Sequence, residues 1–285
     1  MDVKLRRGTP EDAAACGRIL YKAFAEIGAA RGFPSNISSP EVAIGLLAMQ
    51  LAHPAMYGVV AEVDGRVVGS SFLDERSIVG GVGSVSVEPV IQGSAIGRQL
   101  MVAVMERAAE RGFLGVRLVQ SAYNNRSLAL YAKLGFEVRE PLVCLQGLAF
   151  GVAIDGYTIR PASSADLEAC NQVCRTVHGH DRAGEVSDAL AHGSVLVAEH
   201  DGRITGYSTG VAFFGHSAGE TTEDIKALIG SAPELGGPGI LVPARNSTLF
   251  QWCLQHGLRI IQVMTLMTTG LYNEPAGAYL PSIIY

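Results

Sequence analysis

The sequence predicts an α/β fold, a mixed sheet with flanking helices, that occurs twice in tandem. Residues 5–16, LRRGTPEDAAAC, are matched by residues 159–170, IRPASSADLEAC, and residues 59–69, VVAEVDGRVVG, are matched by residues 196–206, LVAEHDGRITG. Both copies alternate strand-like and helix-like runs in the same order. A chain that repeats its own order of elements is expected to build the same domain twice.

A third match extends the repeat, because Asn124 corresponds to Asn246. The offset between matched residues falls from 154 to 137 and then to 122, so the second copy is the shorter one. The chain has 285 residues, which is the length of two ordinary domains. We place these domains at 1–150 and 151–285.

The elements of the first copy follow from local patterns. Thr9, before acidic residues, is a typical helix N-cap, and the second copy repeats this cap at Ser163 or Ser164. Asp64-Gly65 predicts a tight hairpin between two strands, because both residues tolerate positive φ. The elements expected after the hairpin are a strand at 83–87, an amphipathic helix through 109, a strand at 115–120, a helix at 127–134 and a final strand.

Composition and charge exclude several classes of protein. Hydrophobic residues make up 48% of the chain and charged residues 17%, which allows well-filled cores and excludes a mainly disordered chain. The net charge is −5 and no long basic cluster occurs, so we expect no nucleic-acid partner. The longest nearly apolar run, 142–154, is too short to cross a bilayer, so we expect no membrane partner.

The five cysteines are scattered, and the first residues lack the apolar segment of a secretion signal. We therefore expect a cytoplasmic protein with free thiols. Cys170, Cys174, His178 and His180 are spaced like soft metal ligands, but the counterpart of Cys170 in the first copy is Cys16, on an apolar stripe. We predict no metal site, and we leave a homodimer open.

One loop of the first copy has the composition of an anion site. Small residues let the backbone approach a dianion, while successive N–H groups and the N-terminus of the next helix attract negative charge. No Asp or Glu occurs from Pro89 to Met105 to oppose such a ligand. An ordinary glycine-containing turn is the alternative. The loop consists of Gln92, Gly93, Ser94, Ala95, Ile96, Gly97 and Arg98.

Two stretches, VSVEPVIQGSAIGRQLM at 85–101 and NNRSLALYAKLGFEV at 124–138, together resemble the core motifs of the GNAT superfamily of N-acyltransferases. The resemblance covers nearly all of 3–148. It implies that the loop amides bind the pyrophosphate of acetyl-CoA, and that the pantetheine arm runs along Val85, Ser86 and Val87. Ala95 departs from the family pattern, which usually has glycine there.

The resemblance also implies catalytic roles. The N–H of Val87 would support the thioester carbonyl oxygen beside a bulged, splayed pair of strands. Tyr131 would protonate the departing thiolate, although packing against its helix neighbours is the alternative role. Asn124 and Ser127 would bind the coenzyme arm.

The general base is not fixed by the motifs. Asp74 and Glu75, at the end of a predicted strand, are the first candidates, and Glu26 on the first helix is another. Each of these carboxylates has an ordinary alternative as a solvated surface charge.

The second copy lacks the residues of this chemistry. Cys253 stands at the position of Tyr131, and the stretch 214–225, FGHSAGETTEDI, brings carboxylates where the anion loop would be. We therefore expect this copy not to bind acetyl-CoA in the usual way.

The tail, residues 272–285, is apolar and is expected to pack in the groove between the copies, near the acceptor site. A tail that only covers core is the alternative. The candidate substrate contacts there are His216, Asn273, Glu274 and the terminal carboxylate of Tyr285.

The sequence therefore predicts an acetyl-CoA-dependent N-acetyltransferase that acts on the primary amine of a small molecule. A protein amino group or an aminoglycoside remains an alternative acceptor. A non-catalytic acyl-CoA sensor is the alternative from another class of protein, and the presence of Tyr131 favours the enzyme.

Overall fold

The computed structural model describes residues 2–284. The first half of the chain contains seven strands and four helices in this described part. They are β1 (Lys4–Arg7), α1 (Ala13–Ala29), α2 (Pro40–Ala52), β2 (Met56–Val63), β3 (Arg66–Asp74), β4 (Val79–Val82), β5 (Ser86–Val87), α3 (Ile96–Glu110), β6 (Gly115–Ser121), α4 (Asn125–Lys133) and β7 (Glu137–Gln146).

The second half repeats the alternation of strands and helices. Its elements are β8 (Tyr157–Pro161), α5 (Leu167–His178), α6 (Ala183–Ala191), β9 (Leu196–His200), β10 (Arg203–Ser208), β11 (Ser217–Gly219), α7 (Thr222–Ser231), β12 (Ile240–Pro243), α8 (Ser247–Gln255), β13 (Arg259–Gly270) and β14 (Ala278–Leu280). The mixed sheets with flanking helices confirm the predicted α/β fold class.

The chain folds into two compact units. Unit 1 contains residues 2–137, 267–271 and 284, and unit 2 contains residues 138–266 and 272–283. This division differs from the predicted boundary between 150 and 151. The sequence repeat marks where the order of elements begins again, whereas the compact units depend on which strands pair. The end of β13 lies beside β6 in unit 1, whereas β7 pairs with β12 in unit 2.

In unit 1 the strand order is β1, β2, β3, β4, β6 and the last residues of β13. The N–H of Leu271 donates to the carbonyl of Leu114 over 2.8 Å at this last position. Helices α3 and α4 pack on one core, which includes Leu100, Val104 and Leu118, while α1 and α2 pack on a second core.

In unit 2, β7 lies between β12 and the first residues of β13, and a second sheet has the order β14, β11, β10, β9, β8. Cys170 and Cys174 are buried in the core beneath α5, as the apolar stripe of the first copy suggested. Helix α7 packs on another core with β12, α8 and β14.

Local signals in the repeat have the same structure in both copies. Thr9 and Ser163 each form a capping box with an aspartate three residues later. The hairpin residues Asp64 and Asp201 have φ values of 50° and 49°, and the glycine after each also has positive φ. These turns confirm the predicted Asp-Gly hairpins.

An ion-pair network is also repeated. Arg6 donates to Asp12 over 2.7 Å and to Glu62 over 2.9 Å. Arg160 makes the matching bonds to Asp166 and Glu199, each over 2.9 Å. The repeat therefore conserves contacts between elements as well as their order.

Candidate functional site

The predicted anion loop, residues 92–98, runs from the end of a short turn of 3₁₀ helix, Pro89–Ile91, into the first turn of α3. Gly93 has φ 103°, a conformation that favours glycine. Ala95 is the N-cap of α3 and takes the left-handed conformation, with φ 64°. An alanine there carries a conformational cost that glycine would avoid. The departure from the family pattern therefore leaves the loop geometry in place at some cost in strain.

Side chains of the loop fix its backbone. Gln92 donates from Nε2 to the carbonyl of Val87 over 3.2 Å, and Ser94 donates from Oγ to the carbonyl of Ile91 over 2.6 Å. The N–H groups of the first turn of α3 have no carbonyl acceptor within their own helix. They form a donor cluster at the positive end of the helix dipole.

Arg126 is an additional cation at this loop, and its role there was not predicted from the sequence. A Cβ atom built on Gly93 would lie 3.0 Å from Nη2 of Arg126. Arg126 is exposed in the first turn of α4, and Arg98 is exposed in the first turn of α3. Two arginines therefore accompany the N–H groups, which suits a pyrophosphate. The signal in the sequence was a basic residue two positions after Asn124.

The strand that leads to the loop is bulged. Gly83 donates its N–H to the carbonyl of Phe72, and Ser86 lies opposite Ser70. Two residues, 84 and 85, therefore lie opposite the single residue 71, which defines a β-bulge. Of the predicted strand 83–87, only residues 86 and 87 form a strand, β5, and the bulge separates β5 from β4.

The N–H of Val87 points away from β3. Glu88 donates its N–H to the carbonyl of Val68 over 2.8 Å, so the opposing pair Gly69 and Val87 is of the non-hydrogen-bonded type. Among the described residues, β5 pairs with β3 alone. The N–H of Val87 therefore lies at the outer edge of β5, while its carbonyl accepts from Gln92.

Strands β4 and β6 separate beside this edge. They pair in parallel for three positions, the last of which joins Gly81 and Arg117. Beyond that position no further pairs join them in the described part of the chain. This separation is the splayed geometry that the resemblance implied.

Tyr131 lies on α4 in the core of unit 1, with its ring centroid 6.1 Å from that of Phe136. Burial raises the pKa of its hydroxyl to about 12, because desolvation disfavours the phenolate. The hydroxyl is therefore protonated at neutral pH, which is the form that a proton donor needs.

Asn124 and Ser127 bond within the protein. The Oδ1 of Asn124 accepts from the N–H of Ser127 over 3.2 Å and caps α4. The Oγ of Ser127 donates to Oε1 of Gln120 over 2.9 Å. Asn246 caps α8 in the same way, so the matched asparagines have a structural role in both copies.

The three candidate bases are not brought together. Asp74 is buried and accepts from Nη2 of Arg76 over 2.6 Å. Glu75 accepts from Nε of Arg107 over 2.6 Å. Glu26 is exposed on the last turns of α1. Asp74 and Glu75 are therefore both held in ion pairs. Arg76 is only two residues from Asp74, whereas Arg107 is distant from Glu75 in the chain, so the sequence does not show the second pair.

Comparison with known proteins decides the family of this site. Residues 17–136, which include the loop, the bulge and Tyr131, match the Acetyltransferase (GNAT) family. This part of the chain is a GNAT acetyltransferase domain. Acetyl-CoA is the acyl donor of GNAT acetyltransferases, as the resemblance implied.

Individual relatives agree with this assignment. The chain is similar to "Uncharacterized N-acetyltransferase YjgM" of Escherichia coli K12, with 28% identity over 137 residues that cover 47% of this chain and 81% of that protein. The fold of the whole chain is similar to a crystal structure from Pyrococcus horikoshii, with a TM-score of 0.74, 16% identity, and coverage of 99% of this chain and 92% of that one.

The tandem architecture also has a structural relative. A tandem GNAT protein from the clavulanic acid biosynthesis pathway has a TM-score of 0.55 and 16% identity to this chain. The alignment covers 94% of this chain and 98% of that protein. The second half of the chain therefore shares the tandem GNAT fold.

Unit 2 has a different arrangement at the position that corresponds to the GNAT site. Gly206 matches Gly69 in the repeat and lies opposite Gly219 of β11. Gly219 also lies opposite Ala278 of β14, so β11 has a strand on each side. The loop between strand and helix is reduced from residues 88–95 to residues 220 and 221.

A carboxylate already occupies the start of α7. Asp224 accepts from the N–H of Thr221 over 2.7 Å and also from the hydroxyl of Thr205. Its negative charge lies at the N-terminus of α7, where the charge of a phosphate would otherwise bind. Cys253 is buried in the core beside β14 and supplies no phenol.

The structure agrees with the alternative for the tail, a segment that covers core. Residues 278–280 form β14 within unit 2 because their backbone groups pair with β11 and their side chains enter its core. His216 is buried against Tyr207 and His178. Asn273 donates to the carbonyl of His178 over 3.0 Å. Glu274 pairs with Arg245, and Tyr285 lies outside the described residues.

Residues 2–284 contain no group of three or more His, Cys, Asp or Glu side chains that would hold a metal ion. In the same range, each helix is too short or too polar to span a bilayer.

Proposed function

We propose that unit 1 transfers the acetyl group of acetyl-CoA to the primary amine of a small molecule by direct attack. The observation that carries this proposal is the open backbone edge of β5 at Val87, next to the donor cluster at the start of α3. An extended arm is expected to bind such an edge through amide hydrogen bonds while its phosphates bind the loop.

Two residues of unit 1, Val87 and Tyr131, act on the thioester in this proposal. Val87 offers its N–H to the thioester carbonyl oxygen, which becomes negative as the amine nitrogen attacks the carbonyl carbon. The new C–N bond replaces the C–S bond, and Tyr131 gives its proton to the departing thiolate. The attacking amine loses one proton to water, because Asp74 and Glu75 are held in ion pairs. That proton restores the hydroxyl of Tyr131.

We assign no acyl transfer to unit 2. Pairing of β11 on both sides, the short loop before α7 and the buried carboxylate of Asp224 support this assignment. We propose a structural or substrate-shaping role for this unit.

Thiol release from acetyl-CoA with a panel of small primary amines tests this function. Tyr131→Phe is expected to lower the turnover of the best amine by more than tenfold, while acetyl-CoA still binds. Tyr157→Phe, a change in unit 2, is the matched control and is expected to retain turnover within twofold. Acetyl-CoA binding without thiol release for any amine would favour a sensor, and equal turnover in Tyr131→Phe would remove the acid role.

A further inference from the structure

Gln120 lies where the two central strands of unit 1 separate. It follows Arg117, the last residue of β6 that pairs with β4, by three positions. Ser84 follows Gly81, the partner of Arg117, by the same three positions. Gln120 and Ser84 therefore hold corresponding positions on the two sides of the opening.

The side chain of Gln120 shares a face of the sheet with Tyr131. Side chains alternate along a strand, so Gln120 points to the same side as Val116 and Leu118. Those two residues pack in the core that contains Tyr131. Gln120 is only 6% exposed, so this polar amide is placed in an otherwise apolar core.

One hydrogen bond orients the amide of Gln120. Its Oε1 accepts from Oγ of Ser127 over 2.9 Å. Its Nε2 is buried and has no hydrogen-bond acceptor among residues 2–284. Buried polar groups normally have a partner, so an N–H donor held in this way indicates a bound group that accepts.

Two hydroxyls near the bulge have the same property. Oγ of Ser71 and Oγ of Ser84 are buried without a partner in the described part of the chain. Both residues belong to the bulge between β3 and β5. The amide NH₂ of Gln120 lies at the opening and the two hydroxyls lie at the bulge, and each of these groups can donate a hydrogen bond.

We infer that Gln120 binds an amide carbonyl of the pantetheine arm of acetyl-CoA through its Nε2. This inference rests on the proposed function of unit 1. The anion loop follows Val87 in the chain and Ser84 precedes it, so an arm that runs from the loop along β5 reaches the opening. The thioester carbonyl is assigned to the N–H of Val87, so an amide carbonyl of the arm is the acceptor left for Nε2 of Gln120.

Calorimetric titration with two ligands tests the inference without an acceptor substrate. Acetyl-CoA contains the arm, and adenosine 3′,5′-bisphosphate contains the nucleotide end without it. Gln120→Met, which keeps the length and removes the amide, is expected to weaken acetyl-CoA binding about tenfold. The same variant is expected to bind adenosine 3′,5′-bisphosphate within twofold of the wild-type protein.

Ser127→Ala is the second variant. It removes the bond that orients the amide and keeps Nε2, so a smaller loss confined to acetyl-CoA is expected. Gln251→Met, an exposed change on α8, is the matched control and is expected to alter neither ligand. Thermal unfolding of each variant checks that it is folded.

The outcomes separate this inference from the proposed function. Unchanged acetyl-CoA binding in Gln120→Met would overturn the inference and leave the proposed function standing. An equal loss for both ligands would also overturn it, because the loop rather than the arm would then be affected. Failure of the wild-type protein to bind acetyl-CoA would overturn the proposed function and the inference together.

Discussion

Gly219 of β11 lies opposite Ala278 of the tail strand β14. On its other side, Gly219 lies opposite Gly206, which matches Gly69 of the first copy. Gly69 lies opposite Val87, whose outer edge has no strand beside it in residues 2–284. In unit 2 the tail strand therefore occupies the position that corresponds to the open edge of β5. We propose that this open edge binds the acyl donor in unit 1.

The left-handed conformation of Ala95 predicts a stabilising substitution. Ala95→Gly is expected to raise the free energy of unfolding by about 0.5–1 kcal/mol, because glycine adopts positive φ without a Cβ penalty. Urea unfolding measures the change. Ala129→Gly, in the middle of α4, makes the same change of residue in a helix and is expected to destabilise by about 1 kcal/mol. A loss of stability in both variants would contradict the strained conformation of Ala95.

The position of Arg126 predicts a salt-dependent contribution to donor binding. Arg126→Gln is expected to weaken acetyl-CoA binding about three- to tenfold at low salt, because a guanidinium near Gly93 attracts phosphate. The difference is expected to shrink as salt is added. Calorimetry at two ionic strengths measures it, with the exposed Arg18→Gln as control. A loss of the same size at both ionic strengths would argue against a charge interaction.

Burial of the cysteines predicts thiols that are inert in the folded protein. Desolvation raises the pKa of Cys16 and Cys174 to about 11, and that of Cys144, Cys170 and Cys253 to about 12. A thiol reagent at pH 8 is therefore expected to label none of them until the protein is unfolded. Rapid labelling of the native protein would show that one of these side chains is accessible.

The same shifts predict the pH dependence of stability. A thiol whose pKa is higher in the folded state stabilises the fold fully below the unfolded value of 9.0, and this contribution is lost as pH rises through the folded value. Urea unfolding is therefore expected to become easier between about pH 9 and pH 12. Stability that stays constant across this interval would contradict the burial of the thiols.

The pairing of β14 predicts that the tail is part of the core of unit 2. Leu280→Ala is expected to cost about 2–4 kcal/mol, because its side chain is 2% exposed and packs in the core. Leu148→Ala makes the same change at a side chain that is 89% exposed and is expected to cost less than about 0.5 kcal/mol. Urea unfolding of the two variants compares them. Equal stability would mean that the tail is only loosely attached.

Features governed by neighbouring residues were predicted from the sequence. The Asp64-Gly65 hairpin, the caps at Thr9 and Ser163, and the loop that opens α3 all depend on a few consecutive residues. Helix α2 was missed, because it is apolar on nearly every side and shows no distinct helical period.

Features that depend on distant residues were not predictable in this way. The pairing of β7 with β12 and of β14 with β11 joins segments far apart in the chain. The ion pair between Glu75 and Arg107 is likewise invisible to local patterns. Gln120 was not singled out, because only the structure shows a buried amide at the opening between strands.

Calorimetric titration of the intact chain with acetyl-CoA tests the central claim most directly. We expect one site per chain, and we expect Gly93→Val to abolish it, because Gly93 has φ 103° and a Cβ there would lie 3.0 Å from Arg126. Two sites per chain would contradict the assignment of donor binding to unit 1 alone. A single site that persists unchanged in Gly93→Val would place the donor away from the loop and contradict the account of unit 1.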